Sequence, residues 1–189
     1  MNPRTDAEVV QAVLAGDKNS YALLVDSYSE RVINYLARMT GNRGEAEELA
    51  QDAFVRAYLA LRSFDPQYKF STWLFKIATN LCLNYLKGRK RLVHVDDYQD
   101  EDGNPMWVIS DSRSQSDPVH EAERRELQRQ IQQAINQLPP VYRTVVILRH
   151  VQGMSYEEIS EMTDLPIGTV KSRLGRGRCR LMTLLQGRI

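Results

Sequence analysis

The chain has 189 residues, 42% hydrophobic and 26% charged, with a net charge of +1. That length suits one medium domain or two small ones. The lack of any apolar run of about 18 residues excludes a membrane-spanning helix. The first 17 residues carry Asp6, Glu8 and Asp17 where a signal peptide would need an apolar core, so the expected location is the cytoplasm. Cys82 and Cys179 are far apart, each in a helical pattern, and make neither a disulfide framework nor a metal site; both are expected to be reduced packing residues. His94, His120 and His150 are scattered. The acidic pairs Glu47–Glu48 and Glu157–Glu158 lie in helix-surface patterns, and no phosphate-binding Gly-Lys loop is present. The residues thus suggest no enzyme, cofactor, metal or small-molecule substrate.

The near-neutral total hides strong local asymmetry. Residues 1–92 carry 13 basic and 10 acidic residues, residues 93–118 one and seven, and residues 119–189 eleven and seven. Two stretches, 66–95 and 165–189, hold six basic residues each and no acid. Acid-free basic segments in a nearly neutral protein predict two separate surfaces that face a polyanion.

Helical punctuation runs the length of the chain. Thr5 and Glu8 stand in capping-box spacing ahead of Val9, Val10, Val13 and Leu14, a stripe that stops at Gly16. A second helix starts near Asp17, with Tyr21, Leu24, Val25, Tyr28, Val32, Leu36 and Met39 on one face, and ends at Gly41. Asn42 and Glu45 open a third, whose stripe is Ala46, Leu49, Ala53, Phe54, Ala57 and Leu61. A loop over 63–69 contains Pro66, and a fourth helix runs from Ser71 to about Gly88. Residues 93–118, with seven acids and repeated serines, form a polar linker that Met106, Trp107, Val108 and Ile109 interrupt.

Asp117 and Pro118 then supply an N-cap and a first-turn proline. Leu127, Ile131, Ala134, Ile135 and Leu138 make the stripe of a fifth helix, broken by Pro139–Pro140. Val141 to Val151 form a sixth, ended by Gly153. Ser155 and Glu158, again in capping-box spacing, open a seventh over 155–162, and a last helix runs from Ile167 to Leu185. The predicted class is all-α: four helices (1–92), an acidic linker (93–118) and four more helices (119–189).

A short helix, a tight turn over 163–166 and a basic helix match a helix-turn-helix. Lys171, Arg173, Arg176, Arg178 and Arg180 lie on the last helix with no offsetting acid. The N-terminal side chains of such a helix can reach base edges in the major groove. Val170, Leu174, Leu181 and Leu185 are its expected buried stripe. Gly175 and Gly177, unfavourable by about 1 kcal/mol each inside a helix, either permit close approach to DNA, the favoured reading, or leave the helix locally frayed.

The stretches EAEELAQDAFVRAY (45–58) and FSTWLFKIATNLCLNYL (70–86) resemble region 2 of the extracytoplasmic-function sigma factors of bacterial RNA polymerase. MSYEEISEM (154–162) and LPIGTVKSRLGRGRCRL (165–181) resemble their region 4. The resemblance spans nearly the whole chain, in order. It implies a promoter-specificity subunit that binds the core polymerase at the clamp helices of the largest subunit and the flap of the second-largest, binds promoter DNA, and is held inactive by an anti-sigma factor.

Residue by residue, the resemblance places core-polymerase docking on Glu48, Leu49, Gln51, Asp52 and Phe54. It places −10 recognition and melting on Phe64, Tyr68, Lys69, Phe70, Lys76, Asn80, Lys87, Arg89, Lys90 and Arg91, with Trp73 either core or base-stacking. Recognition of the −35 element falls on Thr169, Lys171, Ser172, Arg173 and Arg176, while Arg178 and Arg180 are assigned to phosphate or solvent. Gly175 stands where family members often carry a larger side chain. The linker resembles the segment that threads the active-site and RNA-exit region of polymerase. The rival reading from the residues is a self-sufficient helix-turn-helix regulator, although no dimerisation heptads are evident.

Overall fold

A computed structural model describes residues 5–89 and 118–186, with the side chains of residue 89 and residues 118–123 left aside. The described residues are helical and contain no strand. They fall into two units, one on each side of residues 89 and 90. Of the linker expected over 93–118, residues 93–117 lie outside the described residues, as do Lys90 and Arg91, and Pro118 already begins a helix.

In the first unit, Thr5 caps α1 (Asp6–Leu14): its hydroxyl accepts from the Glu8 N–H, and the Glu8 carboxylate accepts from the Thr5 N–H. Val9, Val10 and Val13 bury one face. A 3₁₀ turn (Lys18–Ser20) leads into α2 (Tyr21–Thr40), which stops where Gly41 takes φ 76° and donates its N–H to the Ala37 carbonyl. α3 (Arg43–Leu59) begins at once, with the Asn42 carbonyl oxygen of the side chain accepting from the N–H groups of Gly44 and Glu45. The Asn42 backbone N–H donates to the Thr40 hydroxyl, and the Asn42 amide reaches Glu45. The expected cap thus forms, but its return half uses the end of the previous helix.

A 3₁₀ turn (Leu61–Ser63) and a loop connect α3 to α4 (Phe70–Arg89), which packs on both α2 and α3. The contact between α2 and α4 centres on the buried Tyr35. Its hydroxyl lies 2.8 Å from that of Thr79, and its ring meets Phe75 edge-on at 5.3 Å. Burial holds the Tyr35 phenol above its ordinary range. α1 is tied down separately, by the Tyr28 hydroxyl donating to Asp6.

In the second unit, α6 (Pro140–His150) is central: every residue from Tyr142 to Leu148 is buried, the signature of a helix covered all round. α5 (Pro118–Gln137) contributes Ala134 and Ile135, whereas Leu127, expected in its stripe, is exposed. α7 (Tyr156–Thr163) starts with the Ser155–Glu158 capping box expected from sequence. α8 (Ile167–Gln186) contacts α5, α6 and α7.

Arg143 explains how a charged residue sits inside the all-buried α6. Its guanidinium donates to the carbonyls of Asn136 and Leu138, at the C-terminal end of α5. Those carbonyls have no partner within their own helix and sit at its negative pole. Arg143→Met should therefore destabilise the protein by about 1.5–3 kcal/mol, the typical worth of hydrogen bonds to a charged group. Urea unfolding of the two proteins would check this.

Candidate nucleic-acid interfaces

Two outward cationic faces stand on the two units. On α4 the buried side is Phe70, Leu74, Phe75, Ala78, Leu81, Cys82 and Leu86. The opposite side presents Lys76, Asn80, Asn84 and Lys87, whose spacing of i, i+4, i+8 and i+11 aligns them on one helix face. Asn84 was not singled out by sequence, although the same spacing identifies it. The side chain of Arg89 and all of Lys90 and Arg91 lie outside the described residues.

The loop before α4 is built from the inside. Phe64, Phe70 and Trp73 form an aromatic triangle with ring centroids 5.4–5.7 Å apart, and Tyr28 joins at Phe70. Phe64 and Phe70, both expected from sequence at the −10 site, are only 8% and 1% exposed and support the loop from beneath. The Asp65 carboxylate accepts from the Gln67 N–H and turns the loop outward. The ring left on its surface is Tyr68, 54% exposed, beside the exposed Lys69. Trp73 is half-buried, in contact with Phe64 and Phe70.

On α3, Leu49 and Phe54, two of the expected docking residues, are buried and belong to the core. Glu48, Gln51 and Asp52 are exposed, and the same face continues into Val55 and Leu59, 58% and 77% exposed. Two apolar side chains in water next to carboxylates were missed by sequence, because periodicity does not tell an outer apolar residue from an inner one.

The helix-turn-helix is present, α7 and α8 being joined by a turn in which Asp164 takes the left-handed conformation at φ 54°. The Ser160 hydroxyl donates to the Leu165 carbonyl across the turn. Val170, Leu174 and Gly177 of α8 are buried, and Leu181 and Leu185 are half-buried. Thr169, Ser172 and Arg176 lie on the side away from the core. Lys171 and Arg178 lie on one flank, Arg173 and Arg180 on the other. Lys171 and Ser172 are exposed, and the arginines are half-buried. The Arg180 guanidinium lies 5.2 Å from the centre of the Tyr142 ring.

The two glycines of α8 separate. A Cβ on Gly177 would lie 2.7 Å from Val146 Cγ2 and 3.4 Å from Tyr142 Cβ, so this glycine serves the close packing of α8 on α6. That corrects the reading of Gly177 as an approach point for DNA. Around Gly175 nothing lies within 4 Å. Cys82 is buried, as expected of a packing residue, but Cys179 is exposed on α8. Among the described residues no group of His, Cys, Asp and Glu is placed to hold a metal ion, and no helix is long and apolar enough to cross a membrane.

His150, at the end of α6, is half-buried, and its Nε2 is buried without a hydrogen-bond partner. Burial pushes its imidazole below the usual 6.5, and the nearby Arg178 and Arg149 push the same way.

Residues 24–92 match the family described as Sigma-70 region 2, and residues 128–181 match Sigma-70, region 4. The chain is 40% identical over 172 residues to the ECF RNA polymerase sigma factor SigW of Bacillus subtilis, covering 89% of this chain and 90% of that one. It is 36% identical to the ECF RNA polymerase sigma-E factor of Haemophilus influenzae, covering 92% of each. Among solved structures, CnrH in complex with the cytosolic domain of CnrY has a TM-score of 0.69 at 23% identity, covering 96% of this chain and 97% of that one. The sigma factor RpoE of Bartonella quintana, in complex with the anti-sigma factor NepR, has 0.64 at 23%, covering 89% and 98%. These two likenesses carry the fold.

Two outcomes follow from the geometry of the second unit. Gly177→Ala should destabilise the protein by about 1–3 kcal/mol through overpacking, while Gly175→Ala should stabilise it by up to about 1 kcal/mol. Paired thermal melts test the contrast. For His150, the folded state holds its proton less tightly than the unfolded chain. Its contribution to stability is therefore complete above pH 6.5 and is lost as pH falls below it. Denaturant midpoints at pH 5.5 and 7.5 should differ less in His150→Gln than in the parent.

Proposed function

Because the chain belongs to the extracytoplasmic-function (ECF) sigma factors of RNA polymerase, we propose that its two helical units divide promoter recognition between them. A sigma factor is a non-enzymatic initiation factor that directs polymerase to promoters. In this reading, residues 1–92 bind core polymerase and the −10 element, residues 119–189 bind the −35 element, and 93–118 are the linker.

The observation that carries the reading is that each unit buries one side of a basic helix and leaves an acid-free polar side outside: Lys76, Asn80, Asn84 and Lys87 on α4, and Thr169, Lys171, Ser172 and Arg176 on α8. Cations on such faces hold phosphates and fix register, while the amide, hydroxyl and guanidinium groups read base edges. Tyr68 is the exposed loop ring on which an unstacked −10 base can rest, with Lys69 beside it for the backbone. Arg178 and Arg180 hold phosphate.

The α3 face of Glu48, Gln51, Asp52, Val55 and Leu59 docks on the clamp helices of the largest polymerase subunit. Its apolar end supplies a desolvated centre and its carboxylates the electrostatic match. The second unit meets the flap of the second-largest subunit. The protein acts in the cytoplasm, where polymerase is, and an anti-sigma factor restrains it, as RpoE is seen with NepR.

The test is transcription in vitro with core polymerase over a genomic promoter library. Specific initiation is expected. Leu59→Asp should weaken capture of core enzyme in a pull-down. Arg176→Ala should weaken promoters through their −35 element by about 1–3 kcal/mol. Binding to the same promoter fragments without core enzyme, at equal strength, would favour the self-sufficient regulator instead.

A further inference from the structure

Lys171 and Arg149 come from different helices, α8 and α6, yet both lie against one ring. The Lys171 ammonium is 5.6 Å from the centre of the Tyr156 ring, and the Arg149 guanidinium is 4.9 Å from it. Tyr156 is the first residue of α7, held there by the Ser155 cap, and is half-buried. Arg149 is fixed a second time, donating to the Met154 carbonyl at 2.8 Å. Lys171 has no such second anchor among the contacts described. It is an exposed side chain on a flexible four-carbon stem, near the start of the recognition helix.

Each cation would otherwise gain by turning fully into water. The negative face of an aromatic ring attracts each of them and offsets that gain. The neighbouring Glu157 adds to the attraction: its carboxyl is held below the usual range by the backbone and Ser155 at the helix start, with Lys171 and Arg149 also contributing. A lysine already ordered before DNA arrives loses less side-chain entropy on contact.

We propose that Tyr156 is a positioning residue for promoter binding: the face of its ring holds the Lys171 ammonium, together with Arg149, in the orientation in which it meets DNA. The hydroxyl has no part in this. The proposal rests on Lys171 being a DNA contact, as argued for the −35 surface.

The test is a double-mutant cycle on holoenzyme, the full chain with core polymerase, binding the strongest promoter fragment recovered from the library. Tyr156→Phe keeps the ring and should bind as the parent does. Tyr156→Leu should lose about 2–5-fold, the range of an exposed cation–π contact. That loss should shrink to nearly nothing in a Lys171→Ala background. Equal losses from Phe and Leu would assign the effect to the hydroxyl and overturn the proposal. So would a Tyr156→Leu loss that stays undiminished beside Lys171→Ala.

If Lys171→Ala alone binds as the parent does, the assignment of Lys171 to DNA fails, and the proposal with it. That outcome is distinct from additivity in a cycle where Lys171→Ala is itself weakened. Should Tyr156→Leu melt at a markedly lower temperature, 3,4,5-trifluorophenylalanine at position 156 keeps the shape of the ring and drains its negative face. Binding should fall with that substitution too, and parental binding by it would overturn the proposal.

Discussion

The second unit depends on how closely α8 can lie on α6. A recognition helix has to be gripped firmly on one side while the other stays free for DNA, and α8 offers a narrow buried stripe. Val170 and Leu174 fill part of it; at Gly177 the helix meets Val146 and Tyr142 at a separation that leaves no room for a Cβ. The propensity cost of one glycine is small beside the close packing on α6 that it permits. With the axis brought in at that point, Arg173, Arg178 and Arg180 lie half-covered along the flanks, and Thr169, Ser172 and Arg176 face outward.

The first unit reaches a similar end by different means. Its basic helix α4 is gripped through aromatic rings and one buried polar pair, Tyr35 with Thr79, where hydroxyls satisfy each other inside an apolar core. The same aromatic chemistry builds the loop before α4: Phe64, Phe70 and Trp73 close its base and leave Tyr68 at its surface. A loop supported in this way can present a ring and a lysine in a defined place, which a solvated loop of the same composition could not.

In the second unit, aromatic rings take part in holding the basic side chains near the surface. Arg180 lies over Tyr142, and Arg149 and Lys171 lie against Tyr156. Rings attract cations without the full opposing charge that a carboxylate would set against an approaching phosphate. Arg143, the one buried cation among the described residues, is turned inward onto helix-end carbonyls, so it adds to the sequence charge without adding to a surface.

The sequence alone determined the helices, their caps and the two-part organisation, because these are local: Thr5 with Glu8 and Ser155 with Glu158 act within one turn, and Gly41 ends a helix by its own conformation. The acid-free stretches and the helix-turn-helix were legible for the same reason. Only the tertiary structure decided which apolar and aromatic residues face in. It placed Phe64, Phe70, Leu49 and Phe54 inside and Val55, Leu59, Leu127 and Tyr68 outside, since burial is settled by the neighbouring helix and not by spacing along one's own. It likewise gave Gly177 to packing and left Gly175 open, two glycines in the same helix that differ only in what lies across from them.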